Sequence, residues 1–203
     1  MTEYIRIFNE KHEWLRIASR DEAHAQGLWH ETFHCWLYDE EHLYFQLRSP
    51  LKKDYPNLFD ITAADHLLAT ETPEDGLREV AEEIGITYTI EDVEKMGIVA
   101  CEIMSSHMID REFCHVFLAR APQSFSAFTL QAEEVAGIVK AKLTDVMACL
   151  NGDSTTFFVD GFEEIDRKRQ PLQRDISLKH IVGFREQYVQ QVIQYIQQHV
   201  AVL

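Results

Sequence analysis

Short apolar runs separated by polar turns fill the first part of the chain. Tyr4 to Phe8 and Trp14 to Ala18 flank the turn-like N-E-K-H and predict a hairpin of two strands. Ser19 can cap a short helix through Ala25, with Gly27 ending it. Thr32 to Tyr38 and Leu43 to Arg48 predict adjacent strands of a central sheet, joined by the charged turn D-E-E-H. The period then changes. From Thr72 to Ile86 the pattern is that of one short helix, with Pro73 in its first turn, Glu74 and Asp75 complementing its positive start, and Gly85 as its stop. At about 100° per residue, Leu77, Val80, Ala81 and Ile84 share one face, and Glu79, Glu82 and Glu83 gather on the other.

Beyond the helix, Thr87 to Ile90, Lys95 to Met104 and Asp110 to Ala119 predict further strands, with S-S-H-M-I-D as a tight connection. An apolar run from Phe125 to Leu130 precedes a strand from Glu134 to Leu143 and a short helix capped by Thr144. The stretch from Asn151 to Pro171 reads as an irregular segment with two Gly turns. Its basic cluster, Arg167, Lys168 and Arg169, suits an edge loop over a cleft. From Ile176 to about Val200 the pattern is a long amphipathic helix with His180, Phe184, Tyr188, Val192 and Ile196 near one stripe. Packing on the sheet and a homodimer seam both suit that stripe.

Length and composition narrow the classes. With 203 residues, of which 46% are hydrophobic, the chain suits a single domain, with a core over 28–150 and an extension over 151–203. A net charge of -15 argues against nucleic acid or an anionic membrane as partner, because the basic patches that release counterions are missing. Cys35, Cys101, Cys114 and Cys149 show no C-x-x-C pairing and sit among apolar neighbours, which predicts buried thiols in a reducing cytoplasm. No signal-peptide pattern opens the chain, and no apolar run approaches the roughly 18 residues of a membrane span.

Glutamates opposite an apolar stripe are ordinary on a surface helix. A patch of three also repels itself unless a cation fills it, and oxygen ligands of that density suit Mg²⁺ or Mn²⁺. Their order decides between these accounts. R-E-V-A-E-E-I-G-I, Arg78 to Ile86, matches R-E-U-x-E-E-x-G-U (U aliphatic), the second half of the Nudix box, at every specified position. The chain thus resembles Nudix hydrolases, whose box forms a loop and helix that hold divalent cations against a diphosphate. The first half departs from the pattern. Glu71 is one position too close to Arg78, Thr70 holds the regular place, and neither Asp65 nor Ala64 is the expected glycine.

A second resemblance is to the branch of that superfamily containing type 1 isopentenyl-diphosphate isomerase. Arg48, Lys52, Pro56 and Phe59 reproduce its diphosphate-binding arrangement. Arginine's fork suits bidentate phosphate oxygens and lysine adds a mobile charge. His30, His66, Asp110 and Glu112, with His24 upstream, fall where that branch has histidines and acidic residues, a donor set suited to Zn²⁺, Mn²⁺ or Mg²⁺. The isomerase carries a cysteine immediately before a glycine and a histidine; here Ala64, Asp65 and His66 stand in that order. Alanine cannot exchange a proton.

These resemblances, covering roughly residues 1 to 150, imply a Nudix-type α/β/α sandwich with a mixed sheet and a long C-terminal helix. The implied activity is metal-dependent hydrolysis of a diphosphate linkage in a small molecule. Glu79, Glu82 and Glu83 would hold Mg²⁺ or Mn²⁺, Arg78 would pin the box loop through Glu71 or another carboxylate, and Arg48 and Lys52 would orient the diphosphate. Glu133 or Glu134 would complete the metal shell or act as base. An isopentenyl-diphosphate isomerase-like enzyme and a non-catalytic diphosphate sensor are the alternatives, and Trp29, Trp36, Tyr55 and Phe59 are candidates for a stacking wall.

Overall fold

The computed structural model describes residues 2–104, 109–183 and 186–199. The chain opens with strands β1 (Tyr4–Phe8) and β2 (Trp14–Ser19), then helix α1 (Arg20–Gln26). Ser19 caps α1 by accepting from Glu22 N–H, and Gly27 closes it in the left-handed region at φ 60°. Strands β3 (Trp29–Tyr38), β4 (His42–Arg48), β5 (Phe59–Ile61) and β6 (Ala63–His66) lead into helix α2 (Leu77–Ile84). Strands β7 (Val93–Met104), β8 (Ile109–Arg120) and β9 (Val135–Lys142) follow, then helix α3 (Leu143–Leu150), the hairpin β10 (Phe157–Ile165) and β11 (Lys168–Ile176), and helix α4 (Glu186–His199).

The strands form one mixed sheet in which β3 runs parallel to β8 and the other pairings are antiparallel. β3 is central and both of its faces are covered, which is why its sequence is a nearly unbroken buried run rather than an alternation. On one face, Phe33, Cys35 and Leu37 pack with Val80 and Ile84 of α2. On the other, Trp36, Phe45 and Val116 pack with Val146 of α3 and Tyr188, Val192 and Ile196 of α4. Each fully buried side chain of this size contributes about 1.5–3 kcal/mol. The result is the α/β/α sandwich expected from the sequence.

Several local expectations are corrected. β3 and β4 meet only at Tyr38 and Leu43 and then splay, because β6 pairs with β3 and β5 with β4 in the gap between them. Residues 87–90 form no strand; Thr89 and Asp92 close a capping box around a single 3-10 turn. Thr144 does not cap α3, since its hydroxyl donates to Asp145 Oδ1 and Lys142 holds the cap position without a side-chain bond. The segment read as irregular contains β10 and β11, joined by Asp166 and Arg167 at φ 51° and 61°, the turn geometry that matches strand twist. Arg169 there pairs with Glu164 and donates to the carbonyls of Phe125 and Phe128, and it does not line the large cleft described below. α4 is described from Glu186, and the 3-10 turn at Leu178–His180 removes His180 from its stripe. Its apolar residues Tyr188, Val189, Val192, Ile193 and Ile196 are buried against this chain's own sheet, the first of the two packings that suit the stripe. Phe184 and residues 105–108 lie outside the described residues. No described helix is long and apolar enough to cross a membrane.

Candidate active site

The box helix is locked at both ends. Thr72 and Asp75 close a capping box at the start of the 3-10 turn Pro73–Gly76, and Gly85 at φ 74° closes α2 at the other end. Gly76 is required by packing, since a Cβ there would lie 2.4 Å from Cγ of Phe33. Arg78 ties the preceding loop to the helix despite the shortened spacing. Its Nε and Nη2 donate to the two oxygens of Glu71 at 2.7 and 3.3 Å, while Leu68 N–H donates to Glu71 Oε2 at 2.8 Å. Glu71 therefore takes the arginine-pairing place from one residue closer, by way of the rebuilt loop.

The three glutamates do not share one environment. Glu79 and Glu83, one turn apart, are buried, whereas the Glu82 side chain is 57% exposed with Arg78 Nη1 at 3.5 Å. Arg78 also pairs with Glu79. Burial, followed by repulsion from Asp65, pushes the Glu79 pKa up to about 8. The same causes, with Glu79 added, hold Glu83 well above the ordinary carboxylate range. Asp65 was not singled out as a site residue by the sequence. It is burial-penalised too, but hydrogen bonds from His66 outweigh this and hold it at about 2.

Beside this wall opens a cleft of about 1160 Å³. Arg48, Lys52, Asp65, His66, Asp110, Glu112, Glu133 and Glu134 line it. Arg48 Nη1 donates to Asp60 Oδ2 at 2.7 Å and Nη2 to the Asp54 carbonyl at 3.0 Å, while its buried Nε has no hydrogen-bond partner. Lys52 pairs with Glu134. Of the aromatic candidates, Tyr55 and Trp36 reach the cleft, Trp29 stacks on Phe113, and Phe59 is core. Trp36 Nε1 donates to the Tyr188 hydroxyl at 2.9 Å, and that hydroxyl lies 2.9 Å from His34 Nδ1. Tyr188, on α4, is thus a cleft residue for which strand and box patterns offered no signal.

Within the cleft the predicted histidines and acidic residues converge. β3 and β8 put His30 beside Glu112 in parallel register, β3 and β6 put Thr32 beside His66, and α1 brings His24 across. His24 Nε2 and His66 Nε2 are 2.9 Å apart, and Asp110 Oδ1 lies 3.5 Å from His30 Nε2 and 3.8 Å from His24 Nε2. Burial, with His66 next, lowers His30 to about 3 and His24 to about 4, so both are neutral at pH 7. His30 Nδ1–H donates to the Leu28 carbonyl, so Nε2 carries a lone pair, and this buried atom has no hydrogen-bond partner. A lone pair facing a carboxylate oxygen with no proton between them is unfavourable unless a cation stands there. The nitrogen and oxygen donors fit a divalent transition metal or Mg²⁺.

No family model matches the chain. An uncharacterised Nudix hydrolase of Clostridium acetobutylicum is 38% identical over 164 residues, which are 79% of this chain and 80% of that protein. The chain belongs to the Nudix hydrolase superfamily. An isopentenyl-diphosphate Delta-isomerase of Aliivibrio fischeri is 30% identical over 167 residues, 78% of this chain and 91% of the isomerase, in keeping with the second Nudix resemblance. In fold, the protein is similar to a Deinococcus radiodurans protein at TM-score 0.55 and 19% identity, over 74% of this chain and 90% of that one. A MutT/Nudix family protein of Enterococcus faecalis gives TM-score 0.53 at 11% identity, over 83% and 62%.

Proposed function

We propose that this Nudix protein hydrolyses a diphosphate linkage in a small molecule with the help of Mg²⁺ or Mn²⁺. The observation that carries the reading is the burial of Glu79 and Glu83 against Asp65 beside a cleft whose rim bears Arg48 and Lys52. Glu79 and Glu83, with Glu82 from the exposed flank, hold the cation. When bound, it neutralises phosphate oxygens and lowers the pKa of water at the site. Arg48, held in place by Asp60 and the Asp54 carbonyl, brings positive charge to the diphosphate, and Lys52 exchanges Glu134 for a phosphate oxygen. That exchange frees Glu134 to accept the proton of the attacking water. Arg78 keeps the loop and helix in register through Glu71. His24, His30, His66, Asp110 and Glu112 form a second divalent-cation centre in the same cleft.

Isomerisation is the second reading, favoured by the 30% identity to an isopentenyl-diphosphate isomerase. Ala64 lines the cleft where that chemistry uses a thiol, and no cysteine lines it among the described residues. Release of phosphate or pyrophosphate from a panel of nucleotide, sugar and prenyl diphosphates, with Mg²⁺ or Mn²⁺ and with chelator, tests the proposal. Metal-dependent cleavage lost in Glu83→Gln supports it. Isomerised isopentenyl diphosphate without hydrolysis of any compound would favour the second reading. Tight diphosphate binding with neither reaction would point to a sensor.

A further inference from the structure

Asp65 lines the cleft, between the histidine cluster and the box helix. On one side it serves His66: Oδ1 accepts from the His66 backbone N–H at 2.8 Å and lies 3.3 Å from His66 Nδ1. On the other side it faces the box helix. β6 sets Asp65 opposite Phe33, and Phe33 is the residue packed against Gly76 at the entry to α2, so Asp65 projects to the α2 side of the sheet. There β6 packs against α2, and the Asp65 charge repels those of both Glu79 and Glu83. Its two hydrogen bonds both use Oδ1, and Oδ2 makes none among the described residues. In the isomerase branch that the chain resembles, the matching position between cysteine and histidine is a glycine.

A third carboxylate placed against two buried glutamates only adds repulsion to a protein without a cation. With a cation it completes an oxygen shell, and its bond to an imidazole fixes which ring nitrogen faces the other histidines. We propose that Asp65 is a ligand of the divalent cation held by Glu79 and Glu83 and, through Oδ1, the group that turns His66 Nε2 toward His24 and His30. The inference rests on the reading of the cleft as a divalent-cation site. One carboxylate then joins the two centres, and neither is built without it.

Asp65→Asn keeps the shape and an acceptor for His66 while removing the charge; Asp65→Gly substitutes the residue of the isomerase branch and makes no packing demand. Mn²⁺ affinity is read by electron paramagnetic resonance of the free ion. Luminescence lifetimes of bound Eu³⁺ in H₂O and D₂O count the waters on the ion. We expect Mn²⁺ binding to weaken about 10–100-fold in both variants, and bound Eu³⁺ to gain about one water, with Asp65→Glu recovering most of the affinity. Wild-type affinity and water count in either variant, with a native circular-dichroism spectrum, would overturn the role of Asp65 alone. A wild-type protein that binds no Mn²⁺ would overturn the divalent-cation reading beneath it.

Discussion

His30 and Glu31 are neighbours in β3, yet they point to opposite faces and end in clusters built from the same residue types with opposite proton accounts. Around Glu31 donors converge. Arg6 Nε and Nη2 reach Oε2 at 3.0 and 2.9 Å, and His12 and His115 reach Oε1 through Nε2 at 2.9 and 2.8 Å. Burial alone would raise the Glu31 pKa, but His115, Arg6 and His12 outweigh it and hold the group below its ordinary value. Around His30 acceptors converge, with a neutral imidazole lone pair facing Asp110 and a second acidic residue, Glu112, beside them. Proximity alone nominates both as metal sites. The contacts separate them: Glu31 is the shared acceptor that ties Arg6 and His12 of the N-terminal hairpin to His115 of β8, whereas at His30 an imidazole lone pair faces a carboxylate oxygen, the donor arrangement a cation suits.

The largest expected contrast is catalytic. Glu83→Gln should lower metal-dependent hydrolysis by about three orders of magnitude, the several kcal/mol that a bound cation gives a phosphoryl transition state. Glu31→Gln should leave the rate per folded molecule within about threefold, as a steady-state assay on chromatographically purified monomeric material would read. The order reverses for stability. Glu31→Ala leaves Arg6 and His115 without their acceptor and should cost about 3 kcal/mol in urea unfolding. His30→Gln, measured in chelator, should cost less than about 1 kcal/mol, because it removes an unfavourable contact together with a buried ring.

The same contrast has a sign in pH. In chelator, Glu79 has its folded pKa raised from 4.5 to about 8, so the folded state binds more protons than the unfolded chain across that interval. Stability from this group is therefore full below about pH 4.5 and is lost as pH rises toward 8. Glu31 has a depressed folded pKa, so its contribution is present above the unfolded value and is lost as pH falls through the folded one. Denaturation curves over this range should show the neutral-side loss disappear with Mg²⁺ while the acid-side loss remains. Smallest of all, Tyr188→Phe should cost about 1 kcal/mol by removing the hydroxyl shared with His34 and Trp36, readable as a small shift in the urea midpoint.

How much of this was legible depended on range. α1 carries its start and stop signals within itself, in Ser19 and Gly27, and Gly85 ends α2 as expected, whereas Thr72 caps a separate 3-10 turn, Pro73–Gly76, ahead of α2. β11, with the sequence K-R-Q-P-L-Q-R-D-I, did not read as a strand because it lies at the sheet's edge, where charge and proline replace alternation and discourage pairing with another chain. The box glutamates were visible from spacing, but their division into two buried groups and one exposed one follows from how α2 lies on β6. Asp65 acquires its place from sheet register, and Tyr188 meets His34 across 154 positions of sequence. Neither relation has a local signature.

A Mn²⁺-soaked crystal measured at the manganese absorption edge tests the account most directly. It predicts anomalous density beside Glu79, Glu83 and Asp65 and between His30 and Asp110, and none at Glu31. Density at Glu31, or none anywhere in the cleft, would contradict it.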